Sequence, residues 1–229
     1  MTEKIRLNKH LALQLGISRR EADDIIADGK VTINGTKAIL GSRITDEDTI
    51  EVGGKNITSS KELQYIAMNK PVDYVCSRRR QGDAPTIYEL LPSDLYHLKP
   101  VGRLDKDSSG LLLLTNDGDF AHKMTHPKFR KTKTYEITLN KELEPLHQQM
   151  ISDNGVDLED GKSQLNLARL SETDRKNWQV GMHEGRNRQI RRTFEALGYT
   201  VEKLHRTDFG DYSLKNLDIS PSEFIDCKK

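Results

Sequence analysis

The sequence predicts an α+β protein, in which a small helix-plus-hairpin domain precedes a larger domain with a mixed, largely antiparallel β-sheet flanked by helices. Three observations lead to this fold class. The Asn34-Gly35 pair lies beside a short apolar run and is a strong hairpin-turn signal, since both central turn positions need a positive φ. Segment 133–139 alternates apolar and polar residues, as a half-buried strand does. Helical and strand patterns also follow one another without the regular alternation of a parallel α/β sheet.

Two helices are expected near the start of the chain. The first places Leu7, Leu11 and Leu15 on one face and ends at Gly16. The second begins with a capping box, Ser18-Arg19-Arg20-Glu21, in which the serine hydroxyl accepts an early helical N–H and the glutamate reaches back.

Short strands follow these helices at 31–33 and 50–52. We expect them to complete a domain of residues 1–58. The polar stretch 55–62 is predicted to be a linker, because it has no apolar face to pack.

The larger domain is expected to span residues 63–229. A Lys70-Pro71 turn is predicted between two of its strands. Its further elements are three strands at 65–68, 74–76 and 178–182 and a helix at 187–197.

Composition excludes several classes of protein. The 229 residues are 31% charged and 34% hydrophobic, which is enough apolar content for a buried core. No apolar run approaches the ~18 residues of a membrane-spanning helix, and the first residues do not resemble a secretory signal. The two cysteines, Cys76 and Cys227, are too few for a disulfide framework or a cysteine metal site, so we expect a cytoplasmic protein.

The formal net charge of +1 hides strong segregation of charge. Segment 122–137 has five basic residues against one acidic residue, and segment 176–206 has seven against three. A third basic run is Arg78–Arg80. Together these clusters favour a nucleic-acid partner over a merely solvated surface.

The most informative stretch runs from Gly102 to Gly110 and precedes the apolar run 111–114. Its glycines bound a turn that can hold the Asp105 carboxylate at the edge of the core. Taken alone, the stretch also fits an ordinary turn in which the aspartate bonds its own backbone.

A calcium site is another interpretation of the same turn. Asp105, Asp107, Ser109 and Gly110 match the first half of an EF-hand loop. However, the twelfth position is Asn116 where that loop needs a glutamate, and no helices flank the turn in the sequence pattern.

Two further stretches combine charge with possible recognition of RNA. Tyr135 follows Lys133 on the alternating strand, so it is either a core residue or a ring that stacks on a base. Segment 184–192 has four arginines within seven residues at the expected start of a helix.

Jointly, these stretches resemble bacterial pseudouridine synthases of the ribosomal small-subunit synthase A family, which includes related large-subunit enzymes. The matching residues are Lys70-Pro71, Val75-Cys76-Ser77, the 102–110 turn, Lys133-Thr134-Tyr135, Glu184 through Arg192, and Leu204-His205-Arg206. Residues 1–58 resemble the RNA-binding domain named after ribosomal small-subunit protein four. Two positions depart from the pattern: Asp73 stands where relatives often have glycine, and Asp208 where they often have a second basic residue.

The resemblance implies isomerisation of a uridine to pseudouridine in ribosomal RNA, by base flipping and without a metal or organic cofactor. Asp105 is implied as the essential carboxylate, as nucleophile or base, with Arg191 as its paired cation and Tyr135 stacked on the target uracil. The residues expected to bind RNA are Arg103, Lys133, Arg186, Asn187, Arg188, Arg192 and Arg206, with Arg19 and Arg20 in the first domain.

The implied partner is ribosomal RNA or a ribosomal precursor particle. The residues at 184–188 are slightly more similar to those of the large-subunit enzymes, which favours 23S RNA over 16S RNA. A monomer without membrane contact is expected. The alternative functions are a non-catalytic RNA-binding assembly factor and, less well supported, a calcium-binding protein. Retention of Asp105, Tyr135 and Arg191 together opposes the assembly factor, because binding alone does not require an aspartate that repels phosphate.

Overall fold

The computed structural model describes residues 4–57 and 62–229. The chain forms two units, Met1–Gln64 and Tyr65–Lys229, each with its own buried apolar side chains. The predicted α+β class is confirmed. Within the described ranges, no helix is long and apolar enough to cross a membrane.

The first unit begins with two helices, α1 (Leu7–Leu15) and α2 (Arg19–Ala27). α1 ends at Gly16, whose φ of 71° is easily adopted by a residue without a Cβ. The predicted capping box of α2 is present: Ser18 Oγ accepts the Glu21 N–H at 3.1 Å, and the Ser18 N–H donates to the Glu21 carboxylate at 2.6 Å.

The strands of the first unit are short and pair antiparallel. They are β1 (Ile5–Arg6), β2 (Val31–Ile33), β3 (Thr36–Lys37), β4 (Arg43–Ile44), β5 (Ile50–Val52) and β6 (Lys55–Asn56). β1 pairs with β4, and the other four form a sheet in the order β3-β2-β5-β6. Asn34 and Gly35 have φ values of 50° and 78°, so the predicted hairpin turn is confirmed.

The predicted linker 55–62 is wrong at its start, because β6 pairs with β5 there. Its polar side chains are exposed, which hides the strand from a search for apolar periodicity. Residues 58–61 of that prediction lie outside the described residues. The buried core of this unit consists of Leu7, Leu11, Ala22, Ile26, Val31, Ala38, Ile44 and Ile50.

The second unit is built on a nine-stranded sheet. Its strands are β7 (Tyr65–Lys70), β8 (Lys99–Pro100), β9 (Ser109–Thr115), β10 (Lys133–Leu139), β13 (Asn166–Arg169), β14 (Asn177–Met182), β15 (Val201–Phe209), β16 (Tyr212–Ser213) and β17 (Phe224–Asp226). Seven follow in the order β13-β14-β10-β15-β9-β7-β17, with β8 beside β9 and β16 beside β15. A separate hairpin pairs β11 (Val156–Leu158) with β12 (Gly161–Ser163).

All pairings of this sheet are antiparallel except that of β9 with β15, which is parallel. At this contact Gly110 lies opposite Arg206, with a φ of 107°. A Cβ at Gly110 would lie 2.2 Å from the Arg206 carbonyl oxygen, so only glycine fits this close approach.

The sheet is covered on both faces, and the alternation of side chains shows this directly. Leu112 and Leu114 of β9 belong to one buried cluster, whereas Leu111 and Leu113 belong to the other. The continuous apolar run 111–114 is therefore explained by burial on both sides. The covering helices are α3 (Gly118–Thr125), α5 (Gln189–Glu195) and α6 (Leu214–Leu217). The short helix α4 (Pro145–Gln149) has no buried residue and leads into a π-helical turn at Met150–Asn154.

Two local predictions in this unit are wrong. Segment 74–76 is not a strand; only Val75 bridges to Thr86. The helix predicted at 187–197 begins at Gln189, because Arg188 has a φ of 45° and cannot continue a helical turn.

Candidate active site

A cleft of about 510 Å³ opens where the loop before β9 approaches the segment before α5. Strands β10 and β15 contribute Lys133, Tyr135 and Arg206 to its lining. The loop contributes Arg103 and Asp105. The remaining charged and amide side chains of the lining are Glu184, Arg186, Asn187, Arg188 and Gln189.

Lys70 holds the loop that carries Asp105. Its side chain is completely buried, and Nζ donates to the carbonyl oxygens of Pro71, Asp105 and Ser108 at 2.9, 3.1 and 2.7 Å. Burial lowers the pKa of Lys70, while nearby Cys76 and Asp105 act in the opposite direction. Three carbonyl acceptors therefore satisfy the buried ammonium group and fix the path of the loop.

The Asp105 side chain is 37% exposed and lines the cleft. Its ion-pair partner in the described chain is Arg188, whose Nη1 lies 3.6 Å from Asp105 Oδ2. Arg188 also donates two hydrogen bonds to the Asp107 carboxylate, at 3.1 and 3.0 Å. Burial alone would raise the pKa of Asp107, but the Arg188 hydrogen bonds and the Arg191 charge outweigh it and lower that pKa.

The expected pairing of Arg191 with Asp105 is not a direct contact among the described residues: burial lowers the pKa of Arg191, and the nearby Asp107 and Asp105 charges oppose that shift. The Arg191 guanidinium instead donates to the carbonyl oxygens of Val201 and Asp107, and its Nε lies 3.3 Å from Asp107 Oδ2. The reason is the position of Arg188 before the first turn of α5, from which its side chain reaches Asp105. Helical spacing counted from 187 could not predict this exchange of partners.

Tyr135 lies on β10 between Val180 and Arg206, and it is 8% exposed. It lines the cleft, and within the described chain its hydroxyl makes no hydrogen bond. The ring is therefore a core residue that also lines the cleft, and its stacking on a base stays a prediction.

Lys133 is half-buried two residues before Tyr135, and its Nζ donates to the Glu184 carbonyl oxygen at 3.2 Å. Burial, with a smaller contribution from the Arg206 charge, lowers the pKa of Lys133 to about 8. Its charge is therefore sensitive to pH close to neutrality.

Two of the arginines expected to bind RNA are occupied by Asp160 at the turn between β11 and β12. Arg192 donates to both Asp160 carboxylate oxygens, at 3.0 and 2.8 Å. Arg186 donates to Asp160 Oδ1 and to the carbonyl oxygens of Asp160, Gly161 and Lys162. The predicted phosphate contacts of Arg186 and Arg192 are therefore not supported, because these guanidinium groups attach the hairpin to the cleft wall.

Arg206 also differs from its predicted role. It is 1% exposed, donates from Nε to the Leu111 carbonyl oxygen at 2.7 Å, and lies 4.9 Å from the Phe209 ring centre. Such a buried guanidinium supports the parallel strand contact and cannot reach a phosphate without moving. Arg103 and Asn187 are both exposed and line the cleft, so their side chains are accessible, and their binding of RNA stays a prediction.

Arg19 and Arg20 lie in the first turn of α2 in the first unit, and both are exposed. Arg19 donates to Asn8 Oδ1 at 3.1 Å, a contact that lies at the surface. Both side chains are accessible to a polyanion.

The calcium interpretation of the 102–110 turn is wrong on geometric grounds. Arg188 occupies the carboxylates of Asp105 and Asp107 that a calcium ion would need. In addition, residues 4–57 and 62–229 contain no group of three or more acidic, histidine or cysteine side chains that could hold a metal.

At Asp73, where the resembling proteins often have glycine, the backbone conformation explains why an aspartate is tolerated. Its φ is 70°, a left-handed conformation in which glycine is most common and aspartate is tolerated. Its N–H donates to the Lys106 carbonyl oxygen at 2.7 Å, so the residue supports the same loop as Lys70. Asp208 accepts a hydrogen bond from Thr207.

The sequence reasoning missed the roles of Lys70 and Asp160. A lysine at the end of an otherwise apolar strand was the available signal for Lys70. No sequence signal identifies Asp160. It lies 26 and 32 positions before Arg186 and Arg192, with which it forms ion pairs, and local spacing does not relate residues so far apart.

The chain is similar in sequence and in fold to known proteins. A family model described as RNA pseudouridylate synthase matches residues 64–196, and an S4 domain model matches residues 5–50. Ribosomal large subunit pseudouridine synthase B of Bacillus subtilis is 38% identical to the chain, over 93% of the chain and 88% of that protein. Ribosomal small subunit pseudouridine synthase A of Pasteurella multocida is 37% identical, over 92% and 90%. A crystal structure of a pseudouridylate synthase matches with a TM-score of 0.69 at 35% identity, covering 98% of this chain and 96% of that one.

Proposed function

The chain belongs to the RNA pseudouridylate synthase family, and from that premise we propose that it isomerises a uridine of ribosomal RNA with Asp105 as the essential carboxylate. The observation that carries the proposal is the Asp105 loop, which presents a carboxylate to a cleft lined by Tyr135 and by cationic side chains. An RNA-binding assembly factor without activity is not favoured, since the similar proteins are named synthases.

The reaction exchanges one glycosidic bond for another. The bond from uracil N1 to the ribose breaks, the base turns, C5 bonds to the ribose, and the proton lost from C5 is balanced by one gained at N1. No oxidation or reduction occurs. The part of Asp105 is to supply the negative charge at the ribose, and Lys70 holds its backbone in place.

The uridine must leave its stack to reach Asp105, so the reaction requires base flipping. The Tyr135 ring supports the flipped uracil, because it is fixed in β10 and forms one wall of the cleft. Arg188 stands beside the Asp105 carboxylate as the compensating charge.

The RNA backbone is held by the accessible groups of the cleft and by the first unit. Arg103, Lys133 and Asn187 line the cleft. Arg19 and Arg20 supply exposed positive charge in the S4 domain. Phosphate contacts of this kind provide affinity without selecting a sequence.

Within ribosomal RNA we favour a 23S uridine, because the Glu184–Arg188 sequence resembles the large-subunit relatives. A ribosomal RNA substrate supports a cytoplasmic location. The cleft is lined by residues of one chain, which supports a monomer. The target is identified by mapping pseudouridines in ribosomal RNA from cells with and without the protein. A missing 16S pseudouridine would contradict the 23S proposal.

The activity itself is tested with Asp105→Asn, which keeps the side-chain shape and removes the charge. With C5-tritiated ribosomal RNA lacking the modification, we expect no tritium release by the variant, while its RNA affinity stays within about twofold of wild type. Asp153→Asn, at an exposed site outside the cleft lining, is the matched control and keeps the full rate. Turnover by Asp105→Asn at the wild-type rate would disprove the assignment.

A further inference from the structure

Three rings form an exposed cluster at the end of α3 and in the turn after it. The His122 and His126 ring centres are 4.7 Å apart, and the Phe129 ring lies 5.8 Å from His122 and 6.3 Å from His126. Phe129 is 39% exposed and belongs to none of the buried clusters. We call these residues the ring cluster.

The backbone holds the ring cluster in place. His126 caps the turn Pro127–Phe129, and its Nδ1 accepts the Lys128 N–H at 3.2 Å. Pro127 fixes one φ angle at the start of this turn, and Arg130 ends it with a φ of 47°. A ring that is already ordered loses little conformational freedom when a ligand stacks on it.

Positive charge surrounds the ring cluster. The Lys128 ammonium lies 4.7 Å from the Phe129 ring centre. Lys123 and Arg130 are exposed, and their side chains form no ion pair or hydrogen bond with another described residue. Aromatic faces with nearby unpaired cations are the combination that binds single-stranded nucleic acid, since bases stack and phosphates meet the cations.

The ring cluster is continuous with the catalytic cleft. Thr125 and Pro127 are the residues directly before and after His126, and both line the cleft that contains Asp105. We propose that the ring cluster is a stacking platform for an unpaired base next to the target uridine, with Lys128 and Arg130 on the adjoining phosphates. This inference rests on the proposed function, because it concerns the RNA that enters the same cleft.

Phe129→Ala tests the platform in the full-length protein. Loss of one stacked base weakens binding of ribosomal RNA about tenfold. Turnover at saturating RNA stays unchanged, because Phe129 does not line the cleft. Phe129→Trp keeps a stacking face and restores affinity to within about twofold of wild type. Tyr96→Ala, which removes another exposed ring outside the cleft lining, leaves affinity unchanged.

The fluorescence of Phe129→Trp reports stacking directly, because Trp178 is the single natural tryptophan and is fully buried. We expect quenching by a single-stranded oligouridylate of about twelve nucleotides and none by an RNA duplex of that length. Equal quenching by both RNAs, or wild-type affinity of Phe129→Ala, would overturn the platform. If Phe129→Ala binds RNA with wild-type affinity, the ring cluster is a surface for a protein partner and not for RNA. An inactive wild-type enzyme would overturn the proposed function instead, since the binding assay does not depend on turnover.

Discussion

Arg188 and Arg191 both lie near the loop that carries Asp105 and Asp107, but they have different physical roles. Arg188 is 43% exposed and lies beside the Asp105 carboxylate, whereas Arg191 is 12% exposed and donates to two carbonyl oxygens. The first therefore places a positive charge beside Asp105. The second connects the loop to β15.

This difference predicts separable effects of two substitutions. Arg188→Ala lowers kcat about tenfold, which is the rate effect expected from losing one charge-assisted contact. The melting temperature of this variant stays unchanged. Arg191→Ala lowers kcat and also costs about 2 kcal/mol of stability, because two carbonyl oxygens lose a charged donor. Thermal unfolding and single-turnover rates measured on the same preparations check both expectations. Equal melting temperatures of the two variants would contradict the structural role of Arg191.

Lys133 predicts an unusual pH dependence of RNA binding. Its pKa of about 8 means that the ammonium is charged below pH 8 and becomes neutral above it, while an ordinary lysine stays charged. Affinity for RNA therefore falls as the pH rises from about 7.5 to 9. Lys133→Arg keeps the charge throughout this range, so its affinity stays flat. An identical fall in both proteins, measured by fluorescence anisotropy, would exclude Lys133 as its source.

At the residue scale, the sequence identified the loop of Asp105 but not its partners. The glycine-bounded turn before an apolar run is a local signal that also fits an ordinary turn, and only its combination with the other motifs singled out Asp105. The pairings of Asp105 with Arg188 and of Asp160 with Arg192 join residues far apart in the chain. They depend on how α5 and the β11–β12 hairpin meet, which no local spacing encodes.

At the scale of the elements, Asp117 connects three parts of the second unit. Its carboxylate caps α3 by accepting the Phe120 N–H at 3.0 Å. It also accepts from the Tyr65 hydroxyl and from Lys229 Nζ, each at 2.8 Å. Burial acts to raise the pKa of Asp117, but these donors outweigh it and lower the pKa to about 2.

Asp117→Asn keeps an effective helix cap and removes the charge. Because the folded-state pKa lies below the ordinary value, the charge stabilises the fold above pH 4 and stops doing so as the pH falls towards 2. We therefore expect the variant to lose about 2 kcal/mol at pH 7, and the two proteins to become similar near pH 2. Urea unfolding at several pH values measures this. A pH-independent difference would assign the loss to packing rather than to charge.

Elements with a strict period were predicted well. The strands at 133–139 and 178–182 and the helices of the first unit follow directly from apolar spacing and caps. The start of α5 was not predicted, because Arg188 adopts its left-handed backbone where its side chain is held by Asp107. The strand β6 was missed because its side chains are exposed.

At the scale of the whole molecule, the two units predict separable functions. Each has its own apolar core, so we expect fragment 63–229 to fold alone and to form pseudouridine at high RNA concentration. Its affinity should be lower and less dependent on salt, because the phosphate contacts of the first unit are removed. Limited proteolysis and RNA titration of the fragment and the full chain test this. An insoluble fragment would contradict independent folding, and unchanged affinity would contradict an RNA-binding role for the first unit.

The parallel contact between β9 and β15 also has a consequence for biogenesis. It joins Ser109 and Gly110 to His205 and Arg206, and the Arg206 side chain reaches across to Leu111, 95 positions earlier. Contacts of such long range form late, since a large loop must close first. A nascent chain therefore contains Asp105 long before it has a cleft. The two sides of the cleft come together only when translation has passed β15, so the cleft forms after the whole first unit has been synthesised.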